Sequence, residues 1–148
     1  MKIMAVDYGA ARTGLAVCDR TEFLASPVGV INERDFSQTM LKVSYAASEY
    51  GVEEIIIGHP LNMDGSAGEK AQLCETFAKG LSKLVEIPVR LWDERQTTMQ
   101  ATTYLNASNV RGQKRKDVID QVAATIILES YLSYRKNMKN SEENNRSV

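Results

Sequence analysis

Three consecutive isoleucines, Ile55, Ile56 and Ile57, stand between Glu54 and the turn signals Gly58, His59 and Pro60, and no other segment limits the possible folds so sharply. β-Branched side chains favour a strand, and successive strand residues point to opposite faces, so this segment is apolar on both sides. Such a strand belongs inside a sheet covered on both faces, as parallel sheets with crossover helices are. The rest of the pattern supplies its partners. Lys2 to Val6 is a short apolar run that stops at Asp7 before Tyr8-Gly9, and Gly14 to Cys18 is a second strand joined to it by a hairpin. Val28 to Ile31, after Pro27, is a third.

From Phe36 to Tyr50 the residues Met40, Val43, Ala47 and Tyr50 recur at helical spacing, with Asp35 as N-cap and Gly51 as the stop. A polar loop, Leu61 to Ser66, precedes a helix from about Gly68 to Leu84, and Pro88 to Trp92 forms a fifth strand ahead of Asp93-Glu94-Arg95. Thr97 or Thr98 suits the cap of a helix towards Asn106, and the polar stretch Ala107 to Lys116 reads as a mobile loop. A last helix over Asp117 to Tyr134 carries Val118, Val122, Ala123, Ile126, Ile127 and Leu132, while 135–148 lacks periodicity and reads as a disordered tail. The expectation is an α/β domain over 1–134: a mixed five-stranded sheet, three antiparallel strands followed by parallel additions, with helices on both faces.

A chain of 148 residues suits one domain burying roughly 70% of its unfolded surface, which argues against a two-domain kinase or a transporter. The 18 basic and 19 acidic residues nearly cancel, so any polyanion must be held by a local patch. Cys18 and Cys74 lack CxxC spacing and read as buried thiols of a reducing compartment. No apolar run is long enough to span a bilayer, and no signal peptide is evident at the amino terminus, so a cytoplasmic location and no membrane partner are expected.

In sheets of this kind active groups gather at the carboxyl ends of the parallel strands. Those ends carry Asp7, Gly58-His59-Pro60 and Asp93-Glu94-Arg95, while the last helix adds Asp117 and Asp120, three residues apart on one face. Hard oxygen ligands from three chain segments suit Mg2+ or Mn2+, and a pair of such ions can drive phosphodiester hydrolysis. Each acid also has an ordinary role. Asp7 could bond a turn, Asp93-Glu94-Arg95 could be a surface ion-pair cluster, and Asp117 could be an N-cap. Asp120, facing an apolar seam, needs a partner or a metal.

These residues resemble a known family. Asp7-Tyr8-Gly9 with Arg12, Gly14 and Ala16 is similar to its opening DxGxxRxGxA pattern, and Gly58-His59-Pro60 through Asp64-Gly65-Ser66 to its G-x-P…DGS segment. Asp93-Glu94-Arg95 with Thr97-Thr98 resembles its DER-x-TT segment, and Asp120 with Ala123 and Ala124 its D-x-x-A-A helix. This is the YqgF family of pre-16S rRNA nucleases, also described as Holliday junction resolvases, with a ribonuclease H-like fold. His59, Gln96 and Gln121 stand where the family usually has Leu, Leu and Ser.

The resemblance implies a hydrolase that uses Asp7, Glu94 and Asp120 as catalytic, Mg2+- or Mn2+-binding acids, in ribosome biogenesis. Asp93 and Asp117 are auxiliary acids, and His59 is either a general base or a turn or substrate contact. Arg12 and Arg95 are expected to meet phosphate, and Arg111, Lys114, Arg115 and Lys116 to steer the backbone unless they form a solvated connector. Tyr8 either stacks on a base or packs against its loop. The implied partner is structured RNA, the 5′ end of pre-16S rRNA, with branched DNA as the alternative, and the chain acts as a monomer or a homodimer. Two other classes compete: a nucleic-acid-binding assembly factor without turnover, and an actin-like ATPase, whose phosphate loop Asp7-x-Gly also resembles. With three acids assigned to metal, the formal charge moves from −1 to +2, so the basic side chains govern the approach.

Overall fold

The structure, a computed structural model, describes residues 1–96 and 112–146, with side chains for 1–96 and 121–143. Strands β1 (Ile3–Asp7), β2 (Arg12–Cys18) and β3 (Ala25–Asn32) come first, then helix α1 (Phe36–Tyr50) and strand β4 (Glu54–His59). Helix α2 (Glu69–Leu84), strand β5 (Val89–Asp93), a 3-10 turn over Glu94–Gln96 and helix α3 (Gly112–Arg146) complete the described elements. The five strands form one sheet in the order β3-β2-β1-β4-β5. β1, β2 and β3 pair antiparallel, whereas β4 joins β1, and β5 joins β4, in parallel.

The isoleucine run divides as its alternation requires. Ile55 and Ile57 enter the core beneath α1 and α2 with Met4, Val6, Val43, Phe77 and Leu81, whereas Ile56 joins Ile3, Ala5, Ala124, Ile127 and Leu128 beneath α3. All three isoleucines are fully buried, which a strand covered on only one face could not achieve. α1 is bounded as its sequence predicts. Asp35 accepts a hydrogen bond from the Gln38 amide at 2.9 Å, and Gly51 closes the helix with φ 64°.

Four expectations are corrected. Pro27 lies inside β3 rather than before it, because β3 is an edge strand with a register shift opposite Leu15 and Ala16, where a missing amide donor is tolerated. Gly112 to Lys116 belong to α3, not to a loop. Asp117 is therefore no N-cap, since five helical residues precede it. The tail from Arg135, read as disordered, continues α3 to Arg146. What holds it is ionic rather than apolar: Arg135 donates to Glu22 through Nε and Nη2, at 2.5 and 3.2 Å, and Lys139 Nζ lies 3.5 Å from the same carboxylate. Arg135 draws the Glu22 carboxyl down to about 2. The segment 97–111, with the expected helix at Thr97 or Thr98, lies outside the described residues.

Candidate active site

The register decides which acids can meet. Val6 pairs with Ile57 and Gly58 with Trp92, so one further step along β1 sets Asp7 level with Gly58. Alternation then fixes the face. Ile3 and Ala5 lie under α3, and Asp7 continues that series. Gly58 follows Ile56 on the same face.

Gly58 is the seat of the second acid. A Cβ on this residue would stand 3.0 Å from Glu94 Cδ, 3.2 Å from Glu94 Oε2 and 2.7 Å from Ile127 Cδ1. Only a residue without a side chain lets the carboxyl of Glu94, entering from the 3-10 turn after β5, lie against the end of β4. Burial raises the pKa of Glu94, while Lys70 and His59 pull it down. Asp7 and Glu94 are both within electrostatic reach of Cys74, which lies in the core on the other side of the sheet. Its thiol is pushed up to about 11, by burial first and then by charges that include Glu94 and Asp7.

Helix geometry gives the backbone place of position 120. Ala124 and Ile127 are buried against the sheet, and position 120 is one turn before Ala124 on the same stripe of α3, with position 117 nearly a further turn back. The side chains of Asp120 and Asp117, and those of Lys114, Arg115 and Lys116, lie outside the described residues, as does all of Arg111. Asp7 at the end of β1, Glu94 over the end of β4 and position 120 on the covering helix thus bring three chain segments to one end of the sheet. Among the described residues, no group of three or more His, Cys, Asp or Glu side chains stands close enough together to hold a metal ion, and the part-buried Glu94 carboxyl has its pKa raised because burial opposes its charge.

Other predicted residues have different places. Asp93 is engaged by Arg95, whose Nε and Nη2 reach its carboxylate oxygens at 2.7–3.1 Å, and this partner lowers the Asp93 pKa. The same guanidinium donates through Nη1 to the Met63 carbonyl at 3.3 Å, so Arg95, which stays exposed, ties the β5 exit to the β4–α2 loop. Of the two readings of Tyr8, the structure overturns base stacking, and the packing it shows is in the core rather than on the loop: Tyr8 is 7% exposed, stacked on Phe77 at 4.6 Å and met edge-on by Phe36 at 5.8 Å. Arg12 opens β2 and is half-buried opposite Asn32. His59 Nε2 is buried and lies 3.4 Å from Glu75 Oε2 without hydrogen-bond alignment, close enough to Glu94 and Asp93 for their charges to interact.

Lys70 was not singled out by sequence reasoning. Its ammonium acts on both Glu94 and Cys74 from the first turn of α2, and only the DGS turn that leads into that helix hints at its position. A groove of about 1050 Å³ runs past Trp92, Gln96, Ser130 and Tyr134 along α3, but neither Asp7 nor Glu94 lines it.

A family model described as "RuvX: Holliday junction resolvase" matches residues 1–134. A protein of Halothermothrix orenii named "Putative pre-16S rRNA nuclease" is 41% identical over 138 residues, covering 93% of this chain and 99% of that protein. A Bacillus subtilis protein of the same name is 39% identical over 134 residues, 89% of this chain and 97% of that one. Among solved structures, Thermus thermophilus RuvC in complex with a Holliday junction substrate superposes with a TM-score of 0.57 at 13% identity, over 90% of this chain and 96% of that one. The fowlpox virus Holliday junction resolvase gives 0.52 at 15% identity, over 90% and 99%. These likenesses establish the fold as ribonuclease H-like, the fold of RuvC-type resolvases.

Proposed function

Since this chain belongs to the RuvX family of nucleases, we propose that it is a divalent-metal-dependent endonuclease that trims the 5′ end of pre-16S rRNA in the cytoplasm. The observation that carries this reading is the Glu94 carboxyl seated over Gly58, level with Asp7 and beneath the stripe of α3 that bears Asp120. Asp7, Glu94 and Asp120 would hold the cation, Mg2+ or Mn2+, which supplies the Lewis acidity that activates water and offsets charge on the phosphate.

The chain's own residues do the rest. Gly58 leaves the space in which the Glu94 carboxyl approaches β1. Burial keeps that carboxyl poorly solvated and so favours a cation beside it. Lys70, exposed beside Glu94, offers a positive charge to the phosphate of an incoming strand, and Arg111, Lys114, Arg115 and Lys116 draw the polyanion towards the cleft. Arg95 braces the rim through Asp93 and Met63. His59, packed beside Glu75 and close to Glu94, shapes the pocket wall.

The family description and the shared fold of RuvC favour a second substrate, the four-way DNA junction. RNA trimming needs one chain, whereas paired cuts across a junction need two chains related by symmetry. The test compares wild type with Asp7→Asn on a pre-16S transcript and on a four-way junction, with Mg2+ and with Mn2+. Wild type should cleave the transcript and Asp7→Asn should not. Equal cleavage by both would refute the assignment.

A further inference from the structure

The Asp64-Gly65-Ser66 turn lies at the cleft, yet its polar side chains are committed to each other. Asp64 Oδ1 accepts from the Ser66 amide at 2.9 Å and from Ser66 Oγ at 2.6 Å, and Asn62 Nδ2 donates to Ser66 Oγ at 2.9 Å. Backbone bonds close the turn, Gly65 N to Asn62 O at 2.8 Å and Asn62 N to Ser66 O at 2.9 Å, with Gly65 at φ 89°. What the turn presents is Met63, 86% exposed. A lone exposed apolar residue is ordinary on a protein surface. Here, however, the residue's own carbonyl is gripped by Arg95, which neighbours Glu94 and is itself forked onto Asp93. The turn and this brace hold a large apolar side chain outward at the rim of the acid site.

We propose that Met63 is a wedge that enters between two stacked bases of the nucleic-acid substrate. The inference rests on the nuclease reading above. Apolar side chains inserted at base steps unstack and kink nucleic acid, and methionine's flexible, polarisable thioether adapts to an irregular step between aromatic faces. Opening the strand at the rim would deliver a deformed backbone to the neighbouring carboxylates. DNA and RNA both offer the required chemistry, a base step beside a branch or a loop.

The experiment uses 2-aminopurine, which brightens when unstacked, placed in turn at each base flanking the branch of a four-way DNA junction and the loop of a pre-16S RNA hairpin. Binding is measured with full-length protein in EDTA, so that the strands stay intact. Wild type should brighten at least one position on one of the two probes, and the responding probe identifies the substrate. Met63→Ala should bind about tenfold more weakly and leave that position dark at saturation, because most of a buried methionine's apolar surface is lost. Met63→Leu should retain both properties. A wild-type fluorescence rise with saturating Met63→Ala would overturn the wedge and leave the nuclease reading intact. Failure of wild type to bind either probe would overturn that reading and the wedge with it.

Discussion

Substituting Gly58 by alanine tests the site through a single methyl group. The added Cβ would stand 2.7 Å from Ile127 Cδ1 and 3.0 Å from Glu94 Cδ, about an ångström inside ordinary carbon contact. Ile127 is 1% exposed and has little room to retreat, so overpacking should cost about 1–3 kcal/mol. For a domain of this size that corresponds to about 2–4 °C in Tm per kcal/mol. The second contact acts on function. Glu94 must move away from β4, and a displacement near 1 Å at a catalytic group can cost about a hundredfold in rate. The two effects separate in the double variant Gly58→Ala/Ile127→Val, because valine lacks the δ-carbon that collides. Thermal melts should then recover part of the lost stability, while cleavage of the pre-16S transcript stays depressed. Wild-type cleavage by Gly58→Ala, or recovery of both properties in the double variant, would refute the placement of Glu94.

Two further outcomes follow from charge. Burial raises the Glu94 pKa above its ordinary 4.5, so the folded state retains a proton that the unfolded chain has lost, and stability falls as pH rises through that interval. In EDTA, Glu94→Gln should therefore resist urea better than wild type at pH 7 and lose that advantage below about pH 4; lower resistance at pH 7 would contradict the part-buried, poorly solvated carboxyl. Glu22 has the opposite sign: its folded value near 2, against 4.5 ordinarily, gives stability that is present above about pH 4.5 and lost as pH falls towards 2. Arg135→Ala should lower the urea midpoint at pH 7, with the gap to wild type closing at low pH, and a gap independent of pH would count against the ion cluster.

What could be read in advance was local. Ile55, Ile56 and Ile57 announced a strand covered on both faces because alternation is a property of the backbone, and the helical spacing of the last helix put Ile127 in the core. The errors concern residues whose surroundings are assembled from distant chain. Tyr8 has the same neighbours in sequence whether it stacks on a base or on Phe77, and only the packing of α1 and α2 decides between them. Pro27 could be inside a strand only because β3 turned out to be an edge. The helix past Tyr134 depends on a pairing of Arg135 with Glu22 across 113 residues, so a search for apolar periodicity stops too early. Asp93 and Glu94 are neighbours in sequence, and only the assembled structure separates their surroundings: Arg95 forks onto Asp93, whereas Glu94 lies against Gly58.

That same pairing has a mechanical meaning. An α-helix is stiff along its axis and advances 1.5 Å per residue, so Arg135 and position 120 are about 22 Å apart on one rod. Clamping Arg135 to the β2–β3 turn sets the axial datum of the whole helix. Slippage by one turn, about 5.4 Å, would move position 120 along the sheet and bring position 116 or 124 to where it stands. The ion cluster thus works as a dead stop for the register of the whole helix on the sheet, and the residues read as a tail are the ones that set it.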